Sequence, residues 1–308
     1  MAHTSYDLRS STTSNRNTTP GSSSRRRAGG KQSTERGWYC SAEFCRSVVA
    51  ECIGTFFFMV VACMVDLQWD STIGVDVVRL GLTLGFAVVT LVHCFEHISG
   101  AHLNPAVTAA FMLIRHTGII QGLFYIAAQF LGAATAVLLL KGFLPTSVVG
   151  NMGSTMVTSQ ITSHQAMGLE FLMTFLLVFT FVSSIEATRF ASKLVALPIG
   201  LAYLTNTLWG YEFTGASMNP ARSLSSAVVL GKSEGWPVLL EVYLAGPVAG
   251  GVLASLIYKF IFDPTFVSGS MRSFRSSSTI DSEDDNNMIA LQAISSHRKD
   301  ERGTRGVI

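Results

Sequence analysis

The feature that most constrains the fold of this chain is a middle section, residues 45–263, with very few charged side chains. Of the 42 Asp, Glu, Lys and Arg residues, ten lie in 1–44 and twelve in 264–308, which leaves 20 for the 219 residues between. Charged residues make up 14% of the chain, against about 25% in a typical soluble domain. Apolar stretches of about 20 residues in this section match the length of membrane-spanning helices. We therefore predict a polytopic all-α membrane domain at 45–263, with disordered polar tails at 1–44 and 264–308.

The composition also excludes several functional classes. A net charge of +2, without a basic patch interleaved with aromatic residues, gives no reason to expect a nucleic-acid partner. The five cysteines are an odd number and three lie in apolar segments, so we expect them to be reduced. The Cys and His residues do not form the two closely spaced pairs that a zinc site needs. No nucleophile, base and orienting group occur together in one segment, as an enzyme active site would need. We therefore expect no metal, no cofactor and no enzymatic activity.

Six apolar segments are predicted to span the membrane. Lys and Arg cluster before the first span and after the second and fourth, while Asp66, Asp70 and Asp76 lie between the first two. Because basic residues favour the cytoplasmic side, both termini are expected in the cytoplasm. The predicted spans are residues 45–66, 79–97, 119–140, 166–187, 194–211 and 238–262.

The two halves of this domain, about 45–140 and 166–262, resemble each other. Glu51-x-x-x-Thr55-Phe56 recurs 119 residues later as Glu170-x-x-x-Thr174-Phe175, and Asn104-Pro105-Ala106 recurs 115 residues later as Asn219-Pro220-Ala221. Three spans in each half is an odd number, so the second half enters the membrane from the opposite side. Such inverted repeats place their sites near the midplane, between broken helices.

Each Asn-Pro-Ala lies in a segment too short and too polar to span the membrane, at 97–113 and 214–230. Asparagine favours the N-cap of a helix and proline its first turn, so each segment predicts an entering loop followed by a half helix. In inverted halves these two helices direct their positive N-termini at each other. Because irregular backbone at membrane depth must be buried or line a wet cavity, the pattern favours a water-filled pore.

The stretches HISGAHLNPAVT at 97–108, YIAAQFLGA at 125–133 and TGASMNPARS at 214–223 closely resemble those of aquaporins, in the major intrinsic protein family. The loop at 145–157 is similar to that of brain-type water-selective animal aquaporins. The resemblance implies six tilted helices and two half helices, one pore in each subunit and a homotetramer in membrane lipid, with the plasma membrane as the expected location.

The resemblance also implies roles for individual residues. Asn104 and Asn219 donate to the permeant at the pore centre, and Pro105 and Pro220 pack the two half helices together. Ala106 and Ala221 complete the pore centre. Glu51, Glu170 and His97 brace the loops. Carbonyl groups line the rest of the pore, at Gly100, Ala101, His102, Gly215, Ala216 and Ser217.

The selectivity filter implied by the family pattern falls on Leu84, Thr207, Ala216 and Arg222. The arginine agrees with the family, whereas Leu84 replaces an aromatic residue and Thr207 a histidine, as in arthropod glycerol-conducting members. We therefore expect a widened opening that passes water and small uncharged solutes such as glycerol and urea, but neither protons nor ions. Two alternatives stay open: a strictly water-selective aquaporin, and a non-conducting adhesion or signalling member of the family.

Overall fold

The computed structural model describes residues 41–67, 74–149, 152–188, 194–231 and 235–263. These residues are largely helical, and the predicted tails at 1–44 and 264–308 lie outside them apart from residues 41–44. Turns of π-helix at Glu241–Ala245 and Tyr258–Phe262 make 236–262 one continuous helical segment. The α-helices are α1 (Ala42–Val65), α2 (Val77–Ser99), α3 (Pro105–Leu113), α4 (Ile119–Phe143), α5 (Thr146–Val149), α6 (Ser163–Thr188), α7 (Ala196–Thr214), α8 (Pro220–Val229), α9 (Trp236–Leu240) and α10 (Gly246–Ile257).

Each of the six predicted spans coincides with a helical segment to within three residues at either end. Among the described residues, five of these segments are long and apolar enough to cross a membrane. The exception is α7, whose 19 residues give about 28 Å of helix. Its middle carries the buried polar residues Asn206 and Thr207, so the shortfall in apolar character reflects a helix that directs polar groups into the protein.

Glycines allow the closest helix contacts at matching places in the two halves. A Cβ atom on Gly132 of α4 would lie 2.2 Å from the carbonyl oxygen of Cys52 in α1. A Cβ atom on Gly250 of α10 would lie 2.2 Å from the carbonyl oxygen of Phe171 in α6. Small residues at such crossings let membrane helices approach until their backbones touch. The repeat therefore extends from sequence to helix packing.

The equivalent helices α2 and α7 touch each other through a third pair of glycines. A Cβ atom on Gly85 would lie 3.0 Å from the carbonyl oxygen of Gly200, and one on Gly200 would lie 2.6 Å from that of Gly85. These two glycines are 115 residues apart, like Asn104 and Asn219. The contact joins the two halves and fixes how the neighbouring residues of both helices face the interior.

The half helices α3 and α8 contain 9 and 10 residues, or about 14 and 15 Å of helix. Asn104 and Asn219 are their N-caps, and a proline occupies the first position of each. Each is half the length that would cross a bilayer core of about 30 Å. Their N-termini meet inside the bundle, while the outward faces of the long helices carry exposed apolar side chains such as Phe86, Leu131 and Leu172.

The two ends of the helix bundle are named here by the helix termini that lie at each. We call the end with Ala42 and Phe262 the terminal face, and the end with Asp66 and Tyr211 the loop face. The segment joining the halves runs across the loop face, where the Thr158 amide donates to the carbonyl of Phe213 over 2.9 Å. This segment is thereby tied to the end of α7.

Candidate functional site

The loops that precede the two half helices have the same unusual backbone. Ala101 and Leu103 have φ values of 48° and 50°, and the equivalent Ala216 and Met218 have 45° and 53°. Left-handed conformations cost about 1–2 kcal/mol for residues other than glycine. Such backbone persists only where surrounding contacts hold it in place.

A buried carboxylate holds the first loop. Ser99 Oγ and the His102 amide donate to Glu51 Oε1 over 2.6 and 2.9 Å. The Leu103 amide and Gln129 Nε2 donate to Oε2 over 2.7 and 2.8 Å. Glu51 is fully buried, so all four donors belong to the protein.

A second carboxylate holds the second loop in the same way. Thr214 Oγ1 and the Ser217 amide donate to Glu170 Oε1 over 2.6 and 2.8 Å, and the Met218 amide donates to Oε2 over 2.7 Å. Glu170 is also fully buried. Each carboxylate therefore anchors the two amides that immediately precede its asparagine.

The two asparagines link the loops to each other. Asn104 Nδ2 donates to the carbonyl of Met218 over 2.7 Å, and Asn219 Nδ2 donates to that of Leu103 over 2.9 Å. Their Oδ1 atoms accept from the first amides of the half helices, with Asn104 bonded to Ala106 over 2.8 Å. Each Nδ2 carries two hydrogens, so one is used across the interface and one is left for a permeant.

A narrow cavity of about 30 Å³ lies beside this asparagine pair. A cavity of this size and polarity admits water-sized molecules. Its walls are apolar except where the asparagines and one histidine reach it. The lining residues include Phe58, Val88, Val92, His102, Asn104, Leu177, Phe181, Ile199, Tyr203 and Asn219.

The cavity walls are stripes of residues spaced four apart on α2 and α7. Val88 and Val92 line the cavity from α2, and Ile199 and Tyr203 line it from α7. Residues four apart lie on the same helix face. The next members of these stripes toward the loop face are Leu84 and Thr207, at two predicted filter positions.

The four predicted filter residues are all buried: Leu84, Thr207 and Ala216 have no exposed surface, and Arg222 is 2% exposed. Thr207 directs its hydroxyl hydrogen to the carbonyl of Tyr203 over 2.9 Å. Its oxygen keeps acceptor capacity. Leu84 contributes only hydrocarbon, so polar groups at this level belong to α7 and the second loop.

Arg222 is fixed by its own loop. Its Nη1 donates to the carbonyls of Gly215 and Ala216 over 2.9 and 2.7 Å, while its buried Nε has no hydrogen-bond partner among the described residues. A guanidinium has five N–H donors in a rigid plane. The bonds to Nη1 therefore fix the direction of the remaining donors.

The predicted pore-lining carbonyls differ between the loops. Within the described chain, the carbonyls of Gly100, Ala101 and His102 accept no hydrogen bond. Gly215 and Ala216 accept from Arg222, and Ser217 accepts from the Tyr203 hydroxyl over 3.2 Å. Each second-loop carbonyl therefore has one lone pair already committed to the protein, which the sequence did not indicate.

His97 departs from its predicted loop-bracing position. Its side chain is exposed on the last turn of α2 and makes no hydrogen bond to the described residues. Ser99, two residues later, makes the contact to Glu51 instead, and its hydroxyl also accepts from the Ala101 amide over 3.0 Å. The prediction for His97 is corrected accordingly.

A wide cavity of about 600 Å³ opens at the loop face. Asp66, Tyr211, Glu212 and Gly215 contribute to its walls, and the Tyr211 hydroxyl donates to Asp66 Oδ1. Gly215 lines this cavity and is next in sequence to Ala216, one of the buried filter positions. The described residues contain no group of three or more His, Cys, Asp or Glu side chains placed to hold a metal ion.

Sequence reasoning missed Phe58 and Tyr203 as cavity residues. The available signal was their spacing: Tyr203 lies four residues before Thr207, and Phe58 lies seven after Glu51. The 115-residue offset of the asparagines also relates Tyr203 to Val88. These spacings do not show which face of each helix lines the cavity, so the pair is identified only by the structure.

Comparison with known proteins agrees with this architecture. The family model for Major intrinsic protein matches residues 39–258. Aquaporin-4 from Homo sapiens is 39% identical over 226 residues, covering 72% of this chain and 68% of that protein. Aquaporin-2 from Homo sapiens is 36% identical over 226 residues, covering 73% and 81%.

The solved structure of the aquaglyceroporin from Plasmodium falciparum has the same fold, with a TM-score of 0.64 and 23% sequence identity over 72% of this chain and 98% of that one. At this identity the likeness concerns the fold alone. The family match, the aquaporin relatives and the membrane-length helices lead to one conclusion: the chain is an integral, multi-pass membrane protein of the major intrinsic protein (aquaporin) family, whose members are passive channels rather than enzymes.

Proposed function

We propose that this protein is a passive channel for water and for small uncharged solutes such as glycerol and urea. The carrying observation is the narrow cavity of about 30 Å³, where Asn104 and Asn219 supply the polar groups on otherwise largely apolar walls. An apolar wall binds a permeant weakly. The few fixed donors replace hydrogen bonds that the permeant gives up when it leaves bulk water. Conduction requires binding that is strong enough for a permeant to enter and weak enough for it to leave.

The asparagine pair also supports exclusion of protons and cations. The remaining Nδ2 hydrogens of Asn104 and Asn219 donate to a passing oxygen, so that water cannot keep an unbroken donor and acceptor chain at this point. The positive ends of α3 and α8 meet here, and Arg222 adds a permanent charge. Half-helix dipoles and an arginine are known barriers to protons and cations in this class of pore.

The proposed solute range rests on the filter residues. Leu84 is smaller than an aromatic residue, and Thr207 is smaller than histidine and donates its hydroxyl hydrogen to the Tyr203 carbonyl of its own helix. With Ala216, these side chains are smaller than the aromatic residue and histidine of the strict water pattern, which supports a wider opening beside the guanidinium of Arg222. A wider opening with one strong donor suits the hydroxyls of glycerol and the carbonyl of urea.

A strictly water-selective channel is the second candidate. The observation that favours it is the small volume, about 30 Å³, of the cavity below the filter. The aquaporin-4 and aquaporin-2 relatives do not decide between the two, because their names state no solute range.

The assembly and orientation of the channel are also proposals. We infer a homotetramer with one pore in each subunit, embedded in plasma-membrane lipid, with the terminal face and both chain ends in the cytoplasm. The exposed apolar side chains on the long helices suit lipid or neighbouring subunits. Positive residues such as Arg46 and Arg115 near the terminal face support the orientation.

The test is stopped-flow light scattering on the purified protein in liposomes, measuring water, glycerol and urea fluxes. The comparison variant is Leu84→Phe combined with Thr207→His, which restores the aromatic residue and the histidine. We expect the wild type to pass all three and the double variant to pass only water. Water flux alone in the wild type would establish the second candidate, and no flux of any kind would favour a non-conducting role.

A further inference from the structure

We propose that Tyr203, packed against Phe58 beside the asparagine pair, sets the upper size limit for solutes in this channel. This assignment rests on the proposed function and extends it. The narrowest point for solutes then lies at Tyr203, about one helical turn from the predicted filter and closer to the midplane.

The first observation is the position of Tyr203. It lies one turn from Thr207 on the face of α7 that lines the pore cavity, and it lines that cavity together with Asn104 and Asn219. A solute that has passed the widened opening at Leu84 and Thr207 therefore meets the tyrosine next. Tyr203 is a large side chain with only 3% of its surface exposed.

The second observation is that the ring of Tyr203 is held on both sides. Its hydroxyl donates to the carbonyl of Ser217 over 3.2 Å. Its ring meets Phe58 edge to face, with centroids 5.6 Å apart and an interplanar angle of 77°. An aromatic pair in this geometry adds about 0.5–1.5 kcal/mol beyond its buried area. The ring therefore cannot turn aside without losing both contacts.

The third observation comes from the repeat. Val88 is the equivalent of Tyr203 in the first half, at the same offset of 115 residues, and it also lines the cavity. The two halves thus contribute a small residue and a large one to the same cavity, from the neighbouring helices α2 and α7. The tyrosine fills space that valine in both halves would leave open.

The test measures glycerol and erythritol, the next larger linear polyol, in liposomes containing Tyr203→Val. We expect water flux to persist and erythritol flux to rise by about tenfold over the wild type. A tenfold rise is equivalent to lowering the permeation barrier by about 1.4 kcal/mol. Tyr203→Phe separates the effect of the ring from that of the hydroxyl, because it keeps the ring and removes the hydroxyl. We expect this variant still to exclude erythritol. Leu201→Val, on the exposed side of α7, is the matched control.

Unchanged exclusion of erythritol by a water-conducting Tyr203→Val channel would overturn the assignment. Phe58→Val provides an independent variant with the same expected direction, for use if Tyr203→Val yields no folded protein. Failure of the proposed solute range is separately visible, because the wild type then passes no glycerol. In that case the assignment predicts that Tyr203→Val gains glycerol flux, and the absence of that gain would contradict it.

Discussion

The two pore loops share one backbone but use it differently. Both carry left-handed residues at equivalent positions, and both bind a buried glutamate through the two amides before the asparagine. In the first loop the carbonyls of residues 100–102 accept no hydrogen bond within the described chain. In the second, the carbonyls of 215–217 accept from Arg222 and Tyr203.

This difference separates conduction from selection. The first loop presents acceptors that are available to a file of water molecules. The second uses its acceptors to hold a guanidinium and an aromatic ring in place, and these are the groups that we propose restrict what can pass. The inverted repeat therefore supplies a common scaffold, and in our proposal the discriminating side chains lie in the second half.

The largest expected effect comes from removing the carboxylates that hold the loops. Glu51→Ala leaves two buried amides, the Ser99 hydroxyl and one of the two Gln129 Nε2 bonds without an acceptor, at about 1–3 kcal/mol for each unpaired group. Glu170→Ala leaves two amides and a hydroxyl that can rotate. We expect both variants to lose most folded protein, with Glu51→Ala the less stable.

Thermal unfolding in detergent, followed by size-exclusion chromatography, measures this order. Glu43→Ala is the control, because Glu43 is exposed at the start of α1. A Glu170→Ala variant less stable than Glu51→Ala would contradict the comparison of the two braces.

A smaller effect is expected at the asparagines. Asn219 caps two amides, those of Ala221 and Arg222, whereas Asn104 caps only that of Ala106. Replacing an N-cap by alanine costs about 0.5–2 kcal/mol. We expect Asn219→Ala to lower both the unfolding temperature and the water permeability more than Asn104→Ala. Equal losses in the two variants would mean that the second cap bond, at 3.4 Å, contributes nothing.

A further pair of variants compares two side chains that support the loops from outside the half helices. Gln129 Nε2 donates to the Glu51 carboxylate over 2.8 Å, while Thr155 Oγ1 donates to the Ser223 hydroxyl over 2.6 Å. Bonds to charged groups contribute about 1.5–3 kcal/mol and neutral ones about 1 kcal/mol. Gln129→Leu should therefore destabilise more than Thr155→Val in the same unfolding assay. The reverse order would show that the segment joining the halves is the more important support.

Much of this architecture was predictable from the sequence, for physical reasons. The apolar spans follow from the length needed to cross a bilayer, and the half helices follow from asparagine and proline at matched positions. The offset between Glu51 and Glu170 correctly indicated the inverted repeat. Even α7 was located, although Asn206 and Thr207 make it less apolar than the other spans.

The parts that were not predictable depend on where side chains point after packing. Nothing in the order of residues shows that Arg222 binds the carbonyls of its own loop, or that Ser99 rather than His97 reaches Glu51. Tyr203 was overlooked because a tyrosine in an apolar span is ordinarily a packing residue. Its position becomes informative only when the contact between Gly85 and Gly200 fixes which face of α7 lines the cavity.

The most direct test of the central claim is glycerol uptake by liposomes containing the purified wild-type protein, measured together with water flux and with an internal pH dye. The account predicts rapid water and glycerol entry with no proton leak above that of protein-free liposomes. Water entry without glycerol would contradict the proposed solute range, and a proton leak would contradict the role assigned to Asn104, Asn219 and Arg222.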